Sequence, residues 1–177
     1  MSEARNRILE TATRLFYTEG IHTVGVDRII AEAGVAKATF YHHFPSKDEL
    51  VSAYLTTEYE RQRGALSALP GEGVERIRTI FAKLAELSDG PGFRGCPFLN
   101  AAAEFADPAH PVRTIVGDYR DWFRGLMRSL LAEAGRADAD RTAEFLLLLR
   151  DGVTVSGGLG DSTTVHTAVE TAVGAVL

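Results

Sequence analysis

The sequence predicts an all-α chain of about nine helices. Three observations carry this reading. Apolar residues recur at spacings of three and four, glycines and prolines fall between those stretches, and no run alternates convincingly as a strand would. With 177 residues, 45% of them apolar and 24% charged, the chain is long enough for one or two domains with a substantial core.

The elements follow in order. Ile8, Ala12, Leu15 and Phe16 form the stripe of a first amphipathic helix, and Gly20 stops it. Val26, Ile29, Ile30 and Ala33 make a second, shorter stripe that ends at Gly34. Residues 38–44 give a third short helix with Phe40 and Phe44 on one side, closed by Pro45. Ser46-Lys47-Asp48-Glu49 is an S-x-x-E capping box, so a long helix starts near Lys47 and runs to about residue 66. A break at residues 69–73 precedes a helix over about 74–87. Residues 88–97 are a Gly/Pro-rich loop, mobile by composition. Helices are then expected over about 98–105, 111–134, 137–156 and 162–173, the last two flanking Gly157-Gly158-Leu159-Gly160.

The informative stretch is 21–50. Two short helices joined by the tight Ala33-Gly34-Val35 turn, behind an amphipathic helix, have the layout of a helix-turn-helix. The second of them would enter the major groove of double-stranded DNA. Lys37 can reach a phosphate or a guanine edge, and Thr39 a phosphate or a thymine methyl. Tyr41 and His42 point away from Phe40 and Phe44, which leaves them for DNA. Ala38 shares that helix, Lys47 is a phosphate anchor, and Thr23 is a helper. Net charge is −5 overall but +1 over residues 1–47 and −6 over 48–177, which places any DNA contact at the N-terminal end.

The run 26–50, VDRIIAEAGVAKATFYHHFPSKDEL, resembles the signature of the TetR (tetracycline repressor-like) family of transcription regulators. Gly34-Val35, Thr39, Tyr41, Phe44 and Lys47 are in register. With the helix before it, the likeness covers about a quarter of the chain. Two positions depart from the pattern: Gly25 and Ala36 stand where Ser or Thr often caps a helix. The resemblance implies a DNA-binding domain over 1–46 and a helical domain over 47–177 for effector binding and dimerisation. It also implies repression of a palindromic operator and release by a small molecule of unknown identity.

For that effector the sequence offers apolar walls at Phe98, Leu99, Phe105, Trp122, Phe123, Met127, Phe145 and Leu149, with Asn100, Glu104, Tyr119, Arg150 and Asp151 as polar groups on or near the same helices. The resemblance implies that the last two helices pair as a four-helix bundle in a homodimer. Phe145, Leu148, Gly152 and Ser156 would serve on one helix, and Val165, Val169 and Val173 on the other.

Other classes are disfavoured. There is no G-x-S-x-G, P-loop, H-E-x-x-H or cysteine pair, and Asp107-Pro108 breaks the helix between Glu104 and His110. No enzyme, metal or cofactor is expected. A helix-turn-helix serving as a protein-interaction module would not need Lys37, Thr39, Tyr41 and Lys47. The single cysteine, Cys96, excludes an intrachain disulfide and fits a cytoplasmic protein. Beside Arg94 and a helix N-terminus it is either an oxidant-sensing thiol or a small, partly buried residue. No apolar run reaches the ~20 residues of a membrane span, and the N-terminal stretch has no signal-peptide core.

Overall fold

The computed structural model describes residues 2–160 and 162–177, and among these there are nine helices and no strand. They are α1 (Glu3–Glu19), α2 (Val26–Ala33), α3 (Lys37–His43), α4 (Lys47–Ser67), α5 (Gly73–Ser88), α6 (Pro97–Glu104), α7 (Pro111–Glu133), α8 (Ala139–Gly158) and α9 (Ser162–Val176).

Local chemistry sets the first four. The Ser2 hydroxyl caps α1 by accepting from the Arg5 amide, and the Ser46 hydroxyl caps α4 by accepting from the Glu49 amide at 3.1 Å. Gly34 ends α2 in the left-handed region, at φ +62, and its amide reaches back to Ala31 and Ile30. The Val35 amide also bonds the Ile30 carbonyl, at 3.3 Å, which turns the chain tightly into α3. Gly25 and Ala36 supply no capping side chain. Packing holds those two short helices instead, through the fully buried Ile29 and Phe40.

Two apolar cores share α7. The first joins α1–α4 to α6 and the start of α7, through residues such as Phe16, Phe40, Leu55, Phe98 and Tyr119. The second joins α5, the rest of α7, α8 and α9, through Ile77, Phe81, Met127, Leu146 and Val165. Trp122 packs against both. α2 and α3 therefore rest on the same core as α6, not on a separate one.

Three features differ from the sequence reading. First, α8 continues through Gly157 and Gly158 rather than stopping at 156. A Cβ on Gly157 would lie 2.5 Å from the Ser88 Cβ, so these glycines admit the 88–95 loop against the helix. Second, that loop, mobile by composition, is tied to α1. Tyr17 donates its hydroxyl proton to the Gly95 carbonyl at 3.1 Å and accepts from the Arg94 amide at 2.9 Å. Third, Val165, Val169 and Val173 are buried within the chain, where α9 packs on α5 and α8. The stripe marks the inward face of α9.

Candidate DNA-reading face and effector cavity

α3 projects its polar side outward. Lys37, Ala38, Tyr41 and His42 are exposed, Tyr41 at 43%, while Phe40 and Phe44 anchor the opposite side. The Tyr41 ring stands edge-on to Phe40, with centroids 5.2 Å apart, which holds it at the surface. Thr39 is half-buried and Thr23 is exposed at the entry to α2. Lys37 pairs with Asp27 of α2 at 3.2 Å, both side chains well exposed, so a phosphate can displace the carboxylate. Lys47 is half-buried, its ammonium 5.9 Å from the Phe16 ring, and that burial lowers its pKa. His43 is turned aside to Ser2, at 3.0 Å.

α2 is braced on α1 by charge. Arg28 of α2 donates to Glu19 through both terminal nitrogens and to Glu32 through Nε at 2.8 Å. Arg14 of α1 also reaches Glu32. The Arg14 hydrogen bond, and next the one from Arg28, hold the Glu32 carboxyl below its ordinary pKa.

A cavity of about 590 Å³ lies beneath this assembly. α1 contributes Thr13 and Tyr17, α4 contributes Tyr54, Glu58 and Gln62, and α5 contributes Ile80 and Leu84. Phe123, Tyr119 and Arg150 close it from α7 and α8. Arg150 is 3% exposed and fully engaged: it donates to Asp151 at 2.8 Å, to the Cys96 sulfur at 2.8 Å and to the Tyr119 hydroxyl at 3.1 Å. Asp151 also receives Arg120. Burial pushes the Tyr119 phenol up to about 12, so it keeps its proton and donates it to Gln62 Oε1 at 2.7 Å.

Residues 8–54 match the family model for bacterial regulatory proteins of the tetR family, and residues 73–172 match the tetracyclin repressor-like C-terminal domain. The chain belongs to the TetR family of transcription regulators. The uncharacterized HTH-type transcriptional regulator YxaF of Bacillus subtilis is 31% identical over 144 residues, covering 78% of this chain and 75% of its own. LmrA of the same organism, an HTH-type transcriptional regulator, is 30% identical over 128 residues, 68% of this chain and 67% of its own. The crystal structure of SCO4454, a TetR-family regulator of Streptomyces coelicolor, superposes with a TM-score of 0.91 at 43% identity, over 99% of this chain and 95% of that one.

Within this TetR regulator, Phe123 alone of the apolar walls offered for the effector lines the large cavity, joined by Tyr119 and Arg150 of the polar groups. Phe98 lies stacked on Tyr119 at 3.9 Å, Phe105 packs on His22 and His110, and Met127 is sealed in the second core. Trp122 and Leu149 are half-buried, Asn100 is exposed with its amide donating to the Arg94 carbonyl, and Phe145 faces out. The cavity draws instead on α1, α4 and α5. Cys96 is buried, and its arginine neighbour is Arg150, since Arg94 turns to the Thr18 carbonyl.

One TetR-domain contact escaped the sequence reading altogether. The Glu104 carboxylate at the end of α6 accepts from the Ile21 amide at 2.8 Å and the His22 amide at 2.6 Å. It thereby ties the α1–α2 turn to the helical domain. Hydrogen bonds to a charged acceptor contribute roughly 1.5–3 kcal/mol each, less where water competes. Glu104→Gln, which keeps one acceptor and loses the charge, is expected to lower unfolding free energy by about 1–2 kcal/mol. Urea denaturation measures this, and a midpoint equal to wild type would show that the contact is not stabilising.

Proposed function

We propose that the chain is a dimeric repressor, released from a palindromic operator by a small molecule and acting in the cytoplasm. The observation that carries this is the shared use of α1 and α4. α1 packs on α3 beneath its exposed reading face, α4 packs on α1 in the same core, and both α1 and α4 line the 590 Å³ cavity. A ligand that prefers one placement of α4 over another shifts the spacing of the two recognition helices, by as much as its differential affinity allows. Residues 1–46 act as the reading unit, with Thr23, Lys37, Ala38, Thr39, Tyr41, His42 and Lys47 toward DNA. Residues 47–177 sense and pair.

The surface of α8 supports the pairing. Leu148 is 65% exposed, and Phe145, Val155 and Leu159 are exposed with it, an apolar face that water does not favour. Gly152 has open space above it for close helix approach.

The test is a gel shift with DNA flanking the protein's own gene, at two salt concentrations, alongside light scattering. A dimer and specific, salt-sensitive binding are expected. Tyr41→Ala should weaken that binding about tenfold, the loss of one good DNA contact. A monomer at micromolar concentration, or full affinity in a Lys37→Ala/Tyr41→Ala variant, would sink the reading.

A further inference from the structure

Two donor groups in the cavity differ from its other polar atoms. Its acceptors are occupied. Gln62 Oε1 takes the Tyr119 proton, Glu58 takes the Arg61 fork, and the Gly95 carbonyl takes the Tyr17 proton. The two donor groups are not. Tyr54 is 2% exposed and lines the cavity, and its hydroxyl has no hydrogen-bond partner among the described residues. Burial holds the Tyr54 phenol well above its ordinary pKa, so it is a donor and not a phenolate. Two turns along α4, Gln62 presents the other donor. Tyr119 accepts from Arg150 and must send its own proton to Gln62, which fixes the Gln62 oxygen toward Tyr119. The Gln62 N–H2 group has no partner among the described residues.

The remaining walls are apolar and aromatic, including Leu66, Leu84, Phe93 and Phe123. Among the described residues that line it, the cations are Arg14, Arg61, Lys83 and Arg150, paired with Glu32, Glu58, Glu86 and Asp151, and the acid is Glu58. Neither the Tyr54 hydroxyl nor the Gln62 amide is sealed from solvent, so a ligand acceptor replaces water there and a net hydrogen bond contributes about 0.5–1.5 kcal/mol.

We propose that the effector is a mainly apolar, aromatic molecule bearing acceptor oxygens, a ketone or carboxylate and not an amine, and that the Tyr54 hydroxyl is its principal reader, with Gln62 second. This rests on the ligand-responsive reading above and gives it a chemical class. The geometry discriminates as polar sites do: a site built to donate rejects a ligand that brings only donors.

The experiment is isothermal titration of the purified full chain with three probes of one shape: 2-acetonaphthone, 2-naphthoate and naphthalen-2-ylmethylammonium. The ketone or the carboxylate should bind at least tenfold more tightly than the ammonium, and which of the two leads tells whether the cationic lining contributes. Tyr54→Phe, which removes one oxygen, should weaken the acceptor probe about tenfold and leave the ammonium unchanged. Gln62→Leu should weaken it too, and serves where Tyr54→Phe fails to fold. Equal binding of all three, no binding of any, or unchanged affinity in both variants would overturn the proposal. Operator binding is followed in parallel. Acceptor-selective binding that leaves the operator complex intact would support the cavity chemistry while removing the effector role.

Discussion

Asp151→Asn is expected to destabilise the fold by about 3–5 kcal/mol, the cost of leaving a buried cation uncompensated. Asp151 receives both Arg120 and Arg150, and it is the carboxylate that those two guanidinium groups share. Arg120 is partly exposed and can turn toward water, but Arg150 at 3% exposure cannot. A guanidinium cannot shed its proton inside a protein, so Arg150 stays charged. Its guanidinium also sits 4.9 Å from the Tyr119 ring centre and 5.7 Å from that of Phe123, contacts that soften the loss without replacing a counter-ion. Arg150→Met should cost less, about 3 kcal/mol, because Asp151 keeps Arg120. The double variant should then be more stable than Asp151→Asn alone. Urea denaturation of the three variants completes the cycle, and simple additivity would refute a shared buried pair.

What the sequence could reveal follows from how local each feature is. The helix-turn-helix is written in consecutive residues. Ser46 caps three positions ahead, Gly34 turns the chain, and Phe40 and Phe44 lie one turn apart. The cavity is assembled from α1, α4, α5, α7 and α8, from Phe93 and Gly95 of the loop and from Pro97 at the start of α6, and no periodicity records which apolar faces meet and which border a void. Phe98 and Phe123 read alike in sequence. One is stacked behind Tyr119 and the other looks into the cavity. The stripe on α9 shows the same limit: Val165, Val169 and Val173 were legible as a buried face, but not as one buried by the chain's own α5 and α8. Glu104 was legible as a polar group near the effector walls but not as a tie to the α1–α2 turn, since the amides it binds lie 83 and 82 residues away. Gly157 and Gly158 carry the composition of a break and sit in a helix, because tertiary contact outweighs a propensity of about 1 kcal/mol per glycine.

The same contact makes Gly95→Ala the other severe change. Gly95 has φ +82, where an L side chain costs about 1–2 kcal/mol. An added Cβ would also lie 2.9 Å from the Thr154 carbonyl oxygen of α8. That oxygen is backbone inside a helix and cannot swing aside as a side-chain tip would. The loop must move instead, and it is held from the other side by the Tyr17 hydroxyl on the Gly95 carbonyl. Forcing extra volume into such a contact adds roughly 1–3 kcal/mol, so the total is about 2–5 kcal/mol. Gly92→Ala is the internal control. Gly92 lies in the same loop at φ +77, with nothing within 4 Å of the new Cβ, so only the backbone cost of about 1–2 kcal/mol applies. The difference between the two variants in urea denaturation measures the clash with α8. Equal losses would show that the loop yields freely there, and that the α1–loop–α8 junction does not set the shape of the cavity wall.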